Sequence, residues 1–398
     1  MVSRDAWVSG GAGLALVVLA FGLSVWLSAE ARRWAPRLGL LDVPAGHKGH
    51  KAPTPLGGGV AIWLTTVLVL ALGALIAGPG RGMLPLELAK HVGGLWERAE
   101  ELGRIVGLAT LIMLMGLADD RFTLGWKLRL GVQVLVASAL VASGVRVTLF
   151  GPFNSPVLGG ALSILWVVGL TNAFNMLDNM DGLAASVGLI AALLFVGAQV
   201  AVGSLFAPAV LLVLVGALAG FLVHNRYPAR LFMGDAGSNF LGFMLGSLTI
   251  AGTYFRYDAK SSSFSVLTPL LVMAVPLYDS VSVILIRLRE GRSPFLGDRR
   301  HFSHRLVERG LTPPQAVRTI DLVTLAGGLG ALLLHQLDAV GACIVLAQVC
   351  CLLGVVAILE VSAIRSDRSE SNHVQEKPAP VCSAEPQVGS DEPGILGG

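Results

Sequence analysis

The sequence predicts an all-α fold, a polytopic membrane helix bundle with its chemistry on the loops of one face. Three observations predict it. Hydrophobic residues make up 54% of the 398 residues and charged residues only 14%, against about 25% charged in an ordinary soluble domain. A soluble fold this apolar could not cover itself with polar surface. The apolar residues fall into eleven segments, most of them near the roughly 20 residues that cross a bilayer as helix. Lysine and arginine collect in alternate loops between those segments, as they do in oriented membrane proteins.

The eleven expected spans are 8–29, 58–78, 103–118, 128–144, 158–174, 183–203, 206–224, 239–254, 265–286, 319–336 and 339–362. The third to fifth are short or polar at one end. Ala29-Glu30-Ala31 resembles a signal-peptide cleavage site, but the apolar run before it is long for a signal. Arg4 is offset by Asp5, whereas Arg32 and Arg33 follow the span, which is the charge order of an anchor with its amino end outside. The loops 31–57, 119–129, 172–182, 225–238 and 287–318, with everything after 362, hold 21 of the 29 Lys and Arg residues. That bias predicts a multi-pass membrane protein with an external N-terminus and a cytoplasmic C-terminus. Residues 1–364 read as one membrane domain. The tail 365–398, rich in Ser, Pro, Glu and Gly, reads as a disordered cytoplasmic extension. The net charge of +3 is too small to suggest nucleic acid. Cys343, Cys350 and Cys351 lie in an apolar segment and Cys382 in the tail, so neither a disulfide framework nor a zinc site is indicated.

The polar residues gather in five loop elements, all on the face expected to be cytoplasmic. Residues 42–60, DVPAGHKGHKAPTPLGGGV, are too rich in Pro and Gly for a helix and predict an extended loop. Lys48 and His50 bring positive charge to it. Gly57-Gly58-Gly59 would let backbone approach a ligand or a neighbouring helix closely. A basic loop drawn to anionic membrane lipid is the plainer alternative. Residues 116–129 carry Asp119-Asp120 at a helix end. Such a pair can take a proton or hold a hard cation, and the plainer alternative is a charged turn. In residues 171–184, Asn172, Asn175, Asp178 and Asp181 recur every three residues. Four in a row drift around a helix axis, which predicts unwinding near Asp181-Gly182. Residues 225–240 place Gly-Asp-Ala-Gly-Ser at a helix start, where Asp235 or Ser238 can cap free amides. The same amides could bind phosphate, or Asp235 a Mg²⁺. Phe232 could stack on a base. Residues 292–317 bring His301 and His304 among Arg299, Arg300 and Arg305. Flanking arginines make poor zinc chemistry and suit a pyrophosphate.

These five motifs, in this order on one face, resemble the polyprenyl-phosphate N-acetylhexosamine-1-phosphate transferase superfamily (glycosyltransferase family 4) over residues 10–362. The resemblance implies Mg²⁺-dependent transfer of a sugar-1-phosphate from a UDP-N-acetylhexosamine to undecaprenyl phosphate, with release of UMP; Mn²⁺ is a plausible substitute for the metal. It implies Asp119 as the residue that activates the lipid phosphate and Asp120 as its support. Asp235 and Asn175 match the metal site. Lys48, His50, Asp178, Asp181, Asn225 and Phe232 match the nucleotide-sugar site, and His301, His304 and Arg305 the phosphate-binding histidine motif. His50 ahead of PTPLGG, and DRRHFSHR at 298–305, are closer to the UDP-GlcNAc-using (WecA/TagO-like) branch than to the MurNAc-pentapeptide branch (MraY). The chain departs from that pattern twice. Ser303 stands where the branch has a middle His, and Asn179 where Gly is commoner. Substitution of Ser303 by His is therefore expected to be tolerated. The implied partners are the lipid phosphate, the UDP-sugar and membrane lipid, with room for a homodimer. The rival class, an ion-coupled transporter, would place its acids near span centres with paired broken helices.

Overall fold

The computed structural model describes residues 4–43, 53–80, 82, 89, 96–148, 155–254, 262–294 and 300–375, with side chains between 10 and 358. Thirteen α-helices are described: α1 Arg4–Trp34, α2 Gly58–Ala77, α3 Ala99–Phe122, α4 Trp126–Ala142, α5 Pro156–Leu177, α6 Leu183–Ala201, α7 Phe206–Asn225, α8 Gly234–Ala251, α9 Thr268–Val272, α10 Ala274–Arg289, α11 Phe302–Glu308, α12 Pro313–Leu329 and α13 Ala339–Gln375. Strands are limited, among the described residues, to the two-residue pair β1 Leu41–Asp42 and β2 Thr54–Pro55. The chain is an all-α polytopic bundle.

Each of the eleven expected spans coincides with a helix or a helix pair. Among the described residues eight helices are long and apolar enough to cross a membrane. The count is nine if Ser263–Val272 and Ala274–Arg289, bent by 58° at their junction, form one broken span. The two that fall short are α4, with 17 residues, and α8. The shortfall of α8 has a physical cause. From Ala236 to Thr249 nearly all of α8 is buried, because α2, α3 and α5 pack around it. A helix wrapped by protein need not be apolar toward lipid, so it can carry Asp235, Ser238 and Asn239.

The anchor expected at the N-terminus is built into the bundle. α1 continues unbroken through Ala29–Ala31, packs on α7, and donates from Ser24 Oγ to the Ala217 carbonyl at 2.6 Å. At the other end, α13 extends to Gln375, so residues 365–375 of the expected disordered tail are helical. No Pro or Gly interrupts the chain between Gly354 and Pro378, which leaves nothing local to stop the helix.

Two crossings position the first turn of α8. Gly59 of α2 meets Gly237 so closely that a Cβ on Gly59 would sit 2.2 Å from the Gly237 nitrogen. Gly116 of α3 meets Asp235, and a Cβ there would sit 2.3 Å from the Asp235 carbonyl oxygen. The close approach expected of the Gly57–Gly59 stretch is thus made to a neighbouring helix. Gly116→Ala should push α3 off α8 and cost about 1–3 kcal/mol, the usual penalty of overpacking. A lowered melting temperature in detergent checks this; an unchanged one would show that the helices can part freely.

Candidate active site

Five polar elements converge where α3, α5, α7 and α8 end or begin. The centre is the first turn of α8. Asp119 is 6% exposed. Its Oδ1 accepts from the Leu124 amide at 2.6 Å and its Oδ2 from Arg129 Nη1 at 2.6 Å. The same Arg129 nitrogen lies 3.3 Å from Asp235 Oδ2. Asp235 Oδ1 accepts from Asn175 Nδ2 at 2.7 Å, and that amide also reaches Ser238 Oγ at 3.1 Å. One guanidinium therefore bridges two carboxylates, and an asparagine steadies the second of them.

Asp120 does something else. Its Oδ1 accepts from the Asp235 amide at 2.8 Å and its Oδ2 from the Ala236 amide at 3.1 Å. The helix start at Gly234 was expected to be capped locally by Asp235 or Ser238. It is capped instead by a carboxylate from α3, while Ser238 Oγ turns back to the Gly234 carbonyl at 3.0 Å. An anion already occupies two of the amides at which phosphate was one expected ligand.

A second polar layer lies one helical turn away. Asn172 Nδ2 donates to Gln133 Oε1 at 2.6 Å, Gln133 Nε2 to Asn239 Oδ1 at 3.1 Å, and Asn239 Nδ2 to the Asp235 carbonyl at 2.7 Å. Arg129 and Gln133 are i, i+4 on α4, and Asp235 and Asn239 are i, i+4 on α8, so each helix presents one side chain to each layer.

The acid segment breaks as expected. α5 ends at Leu177 and α6 begins at Leu183. Asp178 follows α5. Its enclosure by protein, then the nearby Asp120 and Asp181 carboxylates, push its carboxyl up to about 7. Asp181 Oδ2 accepts from the Ala229 amide at 2.8 Å. Asn225 is 3% exposed; its Oδ1 accepts from Gly182 N at 3.0 Å and its Nδ2 donates to the Leu231 carbonyl at 2.9 Å. Asp181 and Asn225 thus tie the loop after α7 to the loop after α5. Phe232 is half-buried. Its amide donates to the Pro55 carbonyl at 2.9 Å, and its carbonyl accepts from Gly58 N at 3.0 Å, so the first loop joins the same assembly. Lys48 and His50 lie outside the described residues. A cavity of about 500 Å³ opens beside β2, lined by Arg32, Arg33, Thr54, Pro55 and Arg230 but by none of the carboxylates.

His301 is 6% exposed, and its Nδ1 meets Asp279 Oδ2 at 2.9 Å. Asp279 Oδ1 also accepts from the Phe302 amide at 2.6 Å. The carboxylate fixes the ring and turns its other nitrogen, Nε2, away from α10. His304 is half-buried, its ring 6.4 Å from that of His301. Arg305 Nη2 donates to Ser282 Oγ on α10 at 3.0 Å. Sequence reasoning missed Asp279 and did not assign Arg129, Gln133 or Asn239. Asp279 carried a usable signal, a lone acid inside the apolar run 265–286.

Comparison with known proteins decides the family. Residues 103–253 match the model of "Glycosyl transferase family 4". A decaprenyl-phosphate N-acetylglucosaminephosphotransferase of Mycolicibacterium smegmatis is 34% identical over 336 residues, 78% of this chain and 78% of that one. The chain belongs to glycosyl transferase family 4. Within the family, a probable undecaprenyl-phosphate N-acetylglucosaminyl 1-phosphate transferase of Bacillus subtilis is 28% identical over 330 residues, 80% of this chain and 85% of the relative. An undecaprenyl-phosphate alpha-N-acetylglucosaminyl 1-phosphate transferase of Yersinia pestis is 30% identical over 316 residues, 76% and 78% of the two chains. The matched region 103–253 contains Asp119, Asp120, Arg129, Asn175 and Asp235, the whole of the bridged cluster.

The donor set also fits a hard cation in one respect. No three His, Cys, Asp or Glu side chains form a metal cage among the described residues. Mg²⁺ does not need one, because it takes one or two carboxylates with water and substrate phosphates. Asp235, its side chain 33% exposed, is the carboxylate of the cluster open enough to serve.

The raised carboxyl of Asp178 has a measurable consequence. The folded protein keeps that proton to higher pH than the unfolded chain, whose Asp titrates near 4. Stability should therefore decline between about pH 4 and about pH 7 and level off above. Asp178→Asn removes that part of the decline, so its melting temperature should gain on the wild type between pH 5 and pH 8. An equal gap at both pH values would show that Asp178 titrates as an ordinary carboxyl.

Proposed function

We propose that this protein transfers GlcNAc-1-phosphate from UDP-GlcNAc to undecaprenyl phosphate, giving the lipid diphosphate sugar and UMP, as a first step of cell-envelope polysaccharide synthesis. The observation that carries this is the convergence of four polar loop elements, through direct hydrogen bonds, at the start of α8, with the histidine loop joined to the acid loop through Ser303 and Asn179. The relatives' names supply the polyprenyl phosphate acceptor and the N-acetylglucosamine donor. Two anions must be brought together for this reaction, and phosphoryl transfer relies on positioning and charge neutralisation more than on covalent help.

The residues divide that work. Asp235, steadied by Asn175, would hold Mg²⁺, which when bound offsets charge on the donor diphosphate. Arg129, its side chain 30% exposed and shared between two carboxylates, is the cation an incoming phosphate would compete for. Its withdrawal from Asp119 would free that carboxylate to accept the proton of the lipid phosphate. Asp120 holds the α8 amides and so the direction of Asp235. Asp178 and Asp181 lie on the side of the sugar nucleotide, and Asp279 aims His301 at the phosphates. The charge bias of the loops supports a cytoplasmic position for this face, where a UDP-sugar is supplied. An impermeant thiol reagent added outside should leave cysteines introduced at 42–57 and 298–305 unlabelled; labelling there would overturn that orientation.

Purified protein with UDP-GlcNAc, undecaprenyl phosphate and Mg²⁺ should release UMP, and a chelator should stop it. Asp235→Asn should abolish turnover while the protein still folds, because an amide is a much weaker Mg²⁺ ligand. In the same assay Asp119→Asn should slow turnover by roughly 10²–10⁴, the usual value of acid–base help. That loss should shrink as pH rises, since a phosphate monoester ionises unaided above a second pKa near 6. Turnover in chelator, a near wild-type Asp235→Asn rate, or an Asp119→Asn loss independent of pH would each remove the corresponding assignment.

A further inference from the structure

The histidine loop and the acid loop meet through two side chains to which the proposed reaction gives no task. Ser303, 1% exposed, lies between His301 and His304 and donates its hydroxyl proton to Asn179 Oδ1. Asn179 lies between Asp178 and Asp181. Its Nδ2 donates to the Met176 carbonyl at 2.8 Å, in the last turn of α5. Both ends of the Asn179 amide are therefore engaged, and the group cannot turn without breaking both bonds. The segment around Ser303 is equally constrained. Asp279 takes the His301 ring and the Phe302 amide, which fixes the start of α11 to α10. One side of the histidine loop is thus anchored to α10 and the other to the acid loop. These are also the two positions at which the chain departs from the pattern it resembles.

We propose that Asn179 and Ser303 act as one positioning unit, setting the histidine loop against the acid loop and so fixing the shape of the site that takes the diphosphate of the UDP-sugar. This rests on the reaction proposed above. It reverses the expectation that Ser303→His is tolerated. An imidazole in place of a buried hydroxyl would run into Asn179, and only a smaller residue at 179 would make room. The unit touches no reacting atom; it acts through His301, His304, Asp178 and Asp181.

A mutant cycle tests it. Asn179→Ala and Ser303→Ala should each raise the KM for UDP-GlcNAc about three- to tenfold, the value of one neutral hydrogen bond. The double variant should be no worse than either single one. The KM for undecaprenyl phosphate should stay put, whereas a general folding defect would lower the amount of active enzyme and leave both KM values alone. Ser303→His alone should lose donor affinity, and adding Asn179→Gly should restore it. Additive effects of the two alanine variants on donor KM would overturn the proposal. So would a Ser303→His enzyme with wild-type donor KM. Thermal melting of the same four proteins needs no substrate: coupled shifts support the pair, and additive shifts count against it. A wild type that releases no UMP counts against the proposed reaction instead.

Discussion

One guanidinium between two carboxylates is the interaction on which the rest of this site depends. Arg129 joins Asp119 of α3 to Asp235 of α8, and Asp120 lies beside them on the α8 amides. Three acids against one cation leave this cluster negative where two anionic substrates must come. Low-dielectric surroundings make such an imbalance costly unless a further cation or a proton offsets it. One loop away, the carboxyl of Asp178 is raised chiefly by its enclosure in protein, with Asp120 and Asp181 adding to it. A divalent cation at Asp235 would answer the imbalance, and would also explain why the cluster tolerates so little positive charge of its own.

Holding that cluster still requires a polar helix in an apolar bundle. α8 achieves this by being surrounded. Its polar first turn lies against Gly59 and Gly116, and the Asn172–Gln133–Asn239 layer bonds it to α5 and α4 one turn further on. Buried networks of this kind are rigid when every member is satisfied. Asp235 is therefore aimed by three things at once: a backbone cap from α3, a side-chain bond from α5, and the layer beneath it. Truncating any one of them would loosen the carboxylate without removing it.

Much of this could be read from the chain, and the boundary of what could be read is physical. All eleven apolar segments are helices, because length and composition alone distinguish a bilayer-length helix. The break after Leu177 followed from an asparagine and aspartate spacing that no helix can keep on one face. The crossings could not be counted from apolarity, since Asp235 and Asn239 on α8 reflect shelter by neighbouring helices and not contact with water. Pairings across helices were also out of reach. Arg129 was visible as a basic residue in a loop element, but its choice of Asp119 and Asp235 is set by how α3, α4 and α8 cross. Asp279 was hidden differently: an acid in the middle of an apolar segment reads as an interruption until His301, 22 residues later, folds back onto it.

The double aspartate shows how one sequence feature can separate into two functions. Two adjacent carboxylates at a helix end read as a catalytic pair. In the fold their side chains diverge, Asp119 toward Arg129 and Asp120 toward the start of α8. Once Asp120 has taken the amides of Asp235 and Ala236, those two groups are no longer available to a phosphate. In the proposed reaction the donor diphosphate would then draw its positive charge from elsewhere: from Arg129, from the histidine loop, and from a cation that Asp235 would hold. Each of these is held in place by a neighbouring side chain. Asp119 holds Arg129, Asp279 holds His301, and Asn175 holds Asp235. Charge neutralisation at this face is consequently a property of paired residues, and a substitution in a supporting partner should be felt at the group it supports.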